Sequence, residues 1–393
     1  MNSRERVRIA MALGEPDRVP VFCQLAIGHY FLNAGGSPLD IWYRSDAFAD
    51  ALVQLQQRYR FDGILVNLPG RDPDFESHID SIDEGSSETT IRWKNGGYSL
   101  VPRDDNPHYF QPDGSRYFPT LDEVRPEALW YVEPWDITDV TYPYTWGFEA
   151  EPRPFDDFFP RYHLDAIRAV VRRVGEEVSV HSEIFSPFSQ FLDLLNYESA
   201  LMALLDDPAK THACLERLTL GAIDLAGRQA EEGVDAVLIS SAFAGAGLIS
   251  REQYAEFVLP YERRIIQEVH ARHEGVKVYT HTCGAIGDRL DLMLQTGTDG
   301  IDTLDPPPIG TVELEEAVPR LKGVAFIKGN IDPVNTLLYG DRERVRDAVL
   351  HRLSVAKEGG GYILSTACSV PPAVRPELLE YMSEIAIQHG GYG

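Results

Sequence analysis

Three side chains in the second half of the chain have the residue types of a metal site. His281 and Cys283 lie two positions apart in the strand-like segment 277–284, and Cys368 lies in a second such segment, 360–369. Side chains i and i+2 of a strand project to one face, so His281 and Cys283 are predicted to point together. One imidazole and two thiolates form a ligand set of catalytic zinc, with a fourth position open. The alternative is two cysteines buried as small apolar residues beside a hydrogen-bonded histidine.

The elements that must position these residues alternate between strands and helices. From residue 234 onward five apolar runs are each followed by a segment with helical spacing, and three candidate strands precede them, at 18–26, 61–69 and 176–185. Alternation of this kind predicts a parallel sheet. Eight units predict an α/β fold of the (β/α)8 TIM barrel type, with an open doubly wound sheet as the alternative. Because barrel active sites form at the carboxyl ends of the strands, the fifth and eighth strands are predicted to bring the three ligands together.

Residues 71–160 interrupt the alternation, and we predict an insertion after the second strand of a single domain, 1–393. Its Asn95-Gly96-Gly97 turn predicts a β-hairpin, and the rest is rich in Tyr, Phe, Trp and Pro. One interpretation is a surface elaboration or an oligomer contact, as in a homodimer. The other is a cap over the barrel mouth whose aromatic side chains line a substrate pocket.

Charge and composition argue against several classes of partner. The net charge is −25, from 36 Lys and Arg against 61 Asp and Glu, which disfavours nucleic acid and anionic membranes. We find no apolar run that approaches a membrane span and no apolar signal core in the first residues. Four cysteines in 393 residues do not make a disulfide framework. We therefore expect a cytoplasmic protein.

Several segments together resemble the uroporphyrinogen decarboxylase superfamily. They are RVRIAMALGEPDRVPVF, GVDAVLISSAFAGAGLISREQYAEFVLPY, VYTHTCGAIGDRLDLMLQTGTDGIDTLD, AFIKGNIDP and GGYILSTACSVPPAVRPELL. Within it, the His-x-Cys pattern with a late cysteine is similar to zinc-dependent corrinoid methyltransferases. These include methylcobamide:coenzyme M methyltransferases and the substrate-side methyltransferases of O-demethylating systems. The resemblance implies that His281, Cys283 and Cys368 bind zinc and that a methyl group moves to or from a corrinoid.

The decarboxylase branch of the superfamily fits the first half of the chain less well. That branch carries an arginine-rich segment after the first strand, which holds substrate carboxylates, and an essential aspartate after the second. Here the first strand leads into CQLAIGHY, without arginine, and Asn67 lies near the place of the aspartate. Decarboxylation of a tetrapyrrole is one alternative function, and a non-catalytic protein stabilised by zinc is another.

A zinc ion with these ligands supports methyl transfer in either direction. A thiol bound to zinc becomes a good nucleophile, which suits transfer from a methylated corrinoid to a thiol. Zinc can instead act as a Lewis acid on an ether or alcohol oxygen, so that a reduced corrinoid takes the methyl group. The aromatic-rich insertion favours the second direction, with an aryl methyl ether or a similar small methyl donor.

Two further roles are left to other residues and to a partner. Glu183, at the end of the third strand, is a candidate proton donor to the leaving oxygen or a fourth zinc ligand; the alternative is a buried carboxylate that caps the next helix. A carboxylate is expected to orient His281, and Asp302 and Asp305 end the sixth strand near the predicted mouth. We find no corrinoid-binding segment of the Asp-x-His-x-x-Gly type. The corrinoid (cobalamin) is therefore expected on a partner protein that docks over the mouth.

Overall fold

The computed structural model describes residues 1–114, 118–133, 140–141, 145–146 and 153–392. Its core is an α/β arrangement around one curled parallel sheet. Within the described ranges no helix is both long and apolar enough to cross a membrane.

The described strands belong to three sheets. In chain order they are β1 (Gly63–Val66), β2 (Ile79–Glu84), β3 (Glu88–Trp93), β4 (Tyr98–Pro102), β5 (His108–Phe110), β6 (Val140–Thr141), β7 (Thr145–Trp146), β8 (Ser179–Phe185), β9 (Ala236–Ser240), β10 (Lys277–His281), β11 (Gly300–Thr303), β12 (Phe326–Ile331) and β13 (Tyr362–Thr366). Seven of them form the parallel sheet, in the order β1-β8-β9-β10-β11-β12-β13. Because sequential strands are neighbours in the sheet, their carboxyl ends lie side by side along one edge.

Helices follow most of these strands and cover them. The α-helices are Ser3–Met11, Ile27–Asn33, Pro38–Tyr43, Ser45–Tyr59, Asp165–Val174, Pro187–Leu195, Tyr197–Asp206, Pro208–Glu231, Arg251–Phe257, Leu259–Arg272, Leu290–Gln295, Leu314–Leu321, Arg342–Ala356 and Pro376–His389. Short 3-10 helices lie at Phe75–His78, Pro126–Ala128, Phe155–Asp157 and Arg161–Leu164, and a π-helix at Pro333–Leu338. The sheet strands are accordingly almost continuously buried, as strands covered on both faces are.

The predicted first strand, 18–26, is present only as isolated bridges. Val21 pairs in parallel with Leu364 of β13, and the carbonyl of Val21 accepts from the backbone N–H of Asp62, just before β1. The backbone N–H of Val21 donates instead to the carboxylate of Asp62, at 2.8 Å, and Pro20 has no N–H to donate. The segment therefore lies between the two edge strands without a continuous ladder, and closure into an eight-stranded barrel stays a prediction.

The predicted long helix over 250–273 is two helices, which meet at Val258. The interruption precedes Pro260, which has no N–H to bond to the preceding turn. The predicted N-cap is observed, because Ser250 and Gln253 form a reciprocal capping box.

The first helix, Ser3–Met11, lies at the amino ends of the strands. Arg6 pairs with Asp62, which precedes β1, at 2.7 Å, and Arg4 pairs with Asp235, which precedes β9, at 3.0 Å. Both carboxylates are buried. This helix covers the end of the sheet opposite the predicted ligands and leaves the carboxyl ends for the site.

The predicted insertion contains an antiparallel sheet of four strands, β2 to β5. Its predicted hairpin is observed, since β3 and β4 pair from Arg92 and Tyr98 outward and the N–H of Trp93 donates to the carbonyl of Gly97 across the turn. Most of the aromatic tract predicted to line a pocket, 134–148, lies outside the described residues. Whether the insertion is a cap stays a prediction.

Candidate metal centre

The three predicted ligands lie together at the carboxyl edge of the sheet. His281 ends β10, Cys283 lies two residues beyond it, and Cys368 lies two residues beyond β13. The Nε2 atom of His281 is 3.2 Å from the Sγ atom of Cys283, and the two sulfurs are 3.6 Å apart. Their ligand atoms all lie within 4.8 Å of one another, and no other such group of His, Cys, Asp or Glu was found in the described part of the chain.

These separations fit a tetrahedral zinc ion. Zinc–sulfur bonds of about 2.3 Å imply a sulfur–sulfur edge of about 3.8 Å in a tetrahedron, close to the 3.6 Å between Cys283 and Cys368. One nitrogen and two sulfurs leave one coordination position for water or a substrate atom. The donor set therefore has the ligand chemistry that a catalytic zinc site requires.

The electrostatics of the cluster favour a thiolate at Cys368. A hydrogen bond from the Cys283 thiol holds the pKa of Cys368 well below its ordinary value; burial opposes this shift and His281 reinforces it. Metal binding requires deprotonated cysteines. One of the two thiols is thus already disposed to lose its proton at neutral pH.

His281 is oriented by a buried carboxylate and ammonium pair. Its Nδ1 atom is 3.1 Å from Asp302, and both Asp302 oxygens accept from Lys328, at 3.0 and 3.1 Å. All three side chains are at most 7% exposed. Burial alone would lower the pKa of His281, but the hydrogen bonds with Asp302 and Cys368 raise it to about 10. Asp302 thus holds the Nδ1–H of His281, which leaves Nε2 as the metal-binding atom.

The other predicted carboxylate near the mouth, Asp305, fixes the loop that carries Cys283. Its Oδ2 atom accepts from the backbone N–H of Gly284 at 2.6 Å. Gly310 packs so closely on Asp305 that a Cβ there would lie 2.0 Å from its carbonyl oxygen. These contacts hold the loops after β10 and β11 against each other, and Asp305 is outside the ligand group.

Glu183 lies near the centre without joining it. It is inside β8, two residues before that strand ends at Phe185, rather than at the strand end as predicted. Burial raises the pKa of Glu183 to about 7, against the opposing effects of His281 and a hydrogen bond from Ser240. Its carboxylate is not among the clustered ligand atoms. As a carboxylic acid that titrates near neutral pH, it is suited to donate a proton.

Two charged residues near the predicted ligands, Lys328 and Glu133, were not predicted from the sequence. Lys328 was visible as the one charge in an apolar strand, AFIKGNI. Glu133 gave no signal, because it lies outside every strand and helix predicted from the sequence. In the structure it shares with Glu183 and Asn67 the wall of a small cavity.

A comparison with protein-family models identifies the family. The model described as Uroporphyrinogen decarboxylase (URO-D) matches residues 149–389, more than half of the chain. The chain belongs to the uroporphyrinogen decarboxylase family. The predicted family is thereby confirmed, and the matched range contains the three clustered ligands and Glu183.

Curated relatives and solved structures extend this family comparison. Uroporphyrinogen decarboxylases of Saccharopolyspora erythraea and Thioalkalivibrio sulfidiphilus are 31% identical over 193 residues and 29% identical over 225 residues. These matches cover 48% and 55% of this chain, and the chain spans only 52% and 61% of those relatives. A solved methyltransferase from Methanosarcina mazei matches with a TM-score of 0.69 over 99% of both chains, at 18% identity. It shows that the two chains share a fold over nearly their whole length.

Proposed function

We propose that the protein is a zinc-dependent methyltransferase that moves a methyl group from a small donor to a corrinoid carried by a partner protein. The observation that carries the proposal is the group of His281, Cys283 and Cys368 at the carboxyl edge of the sheet, with ligand atoms within 4.8 Å. The shared fold with a methyltransferase supports it. An aryl methyl ether is one donor of suitable chemistry.

Each residue of the centre has a part in this reaction. His281, Cys283 and Cys368 would hold zinc, and the bound ion would supply Lewis-acid chemistry toward the ether or alcohol oxygen of the donor. Asp302 and Lys328 keep His281 in the tautomer that presents Nε2 to the metal. Glu183 supplies the proton that the departing oxygen needs.

The protonation state of Glu183 favours methyl transfer to the corrinoid over methyl transfer from the corrinoid. An oxygen leaving group gains a proton in demethylation, whereas a thiol that accepts a methyl group loses one. Burial keeps Glu183 partly protonated near pH 7, which suits a general acid. Methyl transfer from a methylated corrinoid to a thiol is therefore the less favoured direction at the same zinc site.

Metal analysis with a matched pair of cysteine variants tests the proposal. Cys368→Ala removes a ligand, and Cys214→Ala removes a fully buried cysteine of helix Pro208–Glu231 that lies outside the cluster. We expect wild type and Cys214→Ala to hold one zinc per chain and to methylate an added reduced corrinoid. Cys368→Ala should bind zinc at least about 10-fold more weakly and lose transfer. Full zinc content and full transfer in Cys368→Ala would disprove the site.

Decarboxylation of a tetrapyrrole is the second candidate, because the curated relatives compared above are named uroporphyrinogen decarboxylases. This activity predicts that incubation with uroporphyrinogen yields coproporphyrinogen in a zinc-stripped preparation. It also predicts no loss of that product in Cys368→Ala. The zinc-stripped protein and Cys368→Ala therefore distinguish decarboxylation from zinc-dependent methyl transfer.

A further inference from the structure

A small polar cavity lies beside Glu183, on the side of the sheet edge where β1 and β8 end. It has a volume of about 20 Å³ and is lined in part by Asn67, Glu133, Glu183 and Gln229. A cavity needs about 10–15 Å³ to hold one water molecule, so this one accommodates a single water. Gln229 also donates its Nε2–H to the backbone carbonyl of Glu183, at 2.9 Å.

Glu133 faces this cavity with an oxygen that no described side chain or backbone group satisfies. The residue is 6% exposed, and its Oε2 atom has no hydrogen-bond partner among the described residues. The Oε1 atom of Gln229 likewise has no partner in the described part of the chain. Buried polar oxygens without protein partners are normally satisfied by water. Since Glu133, Gln229 and Glu183 all line one water-sized space, a water molecule there would have polar residues of both acids beside it.

Tyr131 ties Glu133 to the strand that carries Glu183. Tyr131 lies near the Glu133 carboxyl and lowers its pKa, and the Tyr131 hydroxyl accepts from the backbone N–H of Phe185 at 3.0 Å. Phe185 is two residues beyond Glu183 in β8. The two carboxyls are therefore held in a fixed relation although they are 50 positions apart in the sequence.

Burial, together with nearby charges, keeps the Glu133 carboxyl protonated near neutral pH. Burial is the largest effect and raises its pKa to about 8; the nearby carboxylates of Glu183 and Asp193 add to this, whereas Tyr131 and Arg71 oppose it. Glu133 thus keeps its proton at a pH at which Glu183 has begun to release one. Transfer of this proton from Glu133 to Glu183 runs uphill by about one pKa unit, or about 1.4 kcal/mol, a step small enough for a relay that solvent then recharges.

We infer that Glu133 is the residue that returns a proton to Glu183 after each turnover, through one water molecule in the shared cavity. This inference rests on the proposed methyl transfer. The carbon–oxygen bond of the donor breaks with its electron pair left on oxygen, and the methyl carbon bonds to the electron pair of the reduced corrinoid of the partner. The proton of Glu183 goes to that oxygen and gives an alcohol or phenol. Glu133 then protonates Glu183 and regains a proton from solvent.

Single and repeated turnover separate this role from a structural one. In Glu133→Gln the first turnover, which uses the proton already on Glu183, should stay within about twofold of wild type at pH 7. The steady-state rate at pH 8 should fall by about 10-fold or more. Glu262→Gln is the matched control, because Glu262 is also buried, with a pKa raised by burial to about 7, and contacts Tyr254 but is not among the residues that line the cavity. It should leave both rates unchanged.

Two results would overturn the inference. One is a wild-type steady-state rate in Glu133→Gln across the pH range, and the other is an equal loss in first and later turnovers. Infrared titration of the zinc-loaded protein reads the coupling without turnover. Because the carboxylate of Glu183 raises the pKa of Glu133, Glu183→Gln should lower the pH at which Glu133 loses its proton, and an unchanged titration contradicts the shared path. A wild type that fails to transfer methyl from any donor instead refutes the proposed function itself.

Discussion

Replacing Asp302 should separate the contribution of its buried ion pair to stability from its contribution to metal binding. Asp302 contacts His281 on one side and Lys328 on the other, and both Asp302 and Lys328 are at most 2% exposed. Asp302→Leu leaves the ammonium of Lys328 buried without its carboxylate partner and removes the acceptor of the His281 Nδ1–H. Asp302→Leu combined with Lys328→Met removes both charges and leaves only the lost acceptor.

The two variants should therefore differ in stability but agree in zinc affinity. Breaking one side of a buried pair costs about 3–5 kcal/mol, whereas replacing both members by apolar groups is often neutral. Loss of the group that orients a metal-bound histidine weakens metal binding about 10–100-fold. We expect Asp302→Leu to lose about 3–5 kcal/mol in the free energy of unfolding, and the double variant to recover most of it. Both should bind zinc about 10–100-fold more weakly than wild type.

Urea unfolding of zinc-free protein measures stability, and competition with a chromophoric chelator measures zinc affinity. Asp299→Leu is the matched control, because Asp299, like Asp302, pairs with a lysine, in this case Lys277 at 2.7 Å. Lys277 begins β10, at the opposite end of that strand from His281. Asp299→Leu should lower stability and leave zinc affinity unchanged. If the double variant regains wild-type zinc affinity together with stability, Asp302 acts on the fold alone and its assignment to His281 is wrong.

Three further predictions concern pH, the metal and packing. Because the folded protein raises the pKa of Glu183 from 4.5 to about 7, the stability it contributes is present below its unfolded pKa and is lost as pH rises through 7. Glu183→Gln should therefore match wild type near pH 4 and exceed it in urea unfolding at pH 8. Removing zinc with a chelator should lower the melting temperature and added zinc should restore it, since a ligand of the native state stabilises it; Cys283→Ser should show no such response. A Cβ at Gly221 would lie 1.7 Å from the carbonyl oxygen of Trp130, so Gly221→Ala should cost about 1–3 kcal/mol, unlike Gly247→Ala, where nothing lies within 4 Å.

Much of the site was accessible from the sequence because the three ligands follow two strands of a parallel sheet. The alternation of strands and helices predicts that all the strands run in the same direction. Residues at the carboxyl ends of these strands therefore meet at one edge of the sheet. His281, Cys283 and Cys368 were predicted in this way, and they lie within 4.8 Å of one another. The hairpin at Asn95 was predictable for a similar reason, since a turn depends on a few adjacent residues.

Other features were decided only by contacts between distant segments. The first strand is reduced to bridges because the Asp62 side chain takes the N–H of Val21, and no pattern in 18–26 reveals that competition. Lys328 could be recognised as unusual, but only the packing of β11 against β12 shows that its partner is Asp302. That Glu133 lies beside Glu183 is shown only by the cavity that the two residues line together. The sequence therefore determined which residues are the predicted ligands and in what order they occur. Which charged residues lie beside them and shift their pKa values was decided by tertiary packing, because burial and pairing across the fold are not local properties.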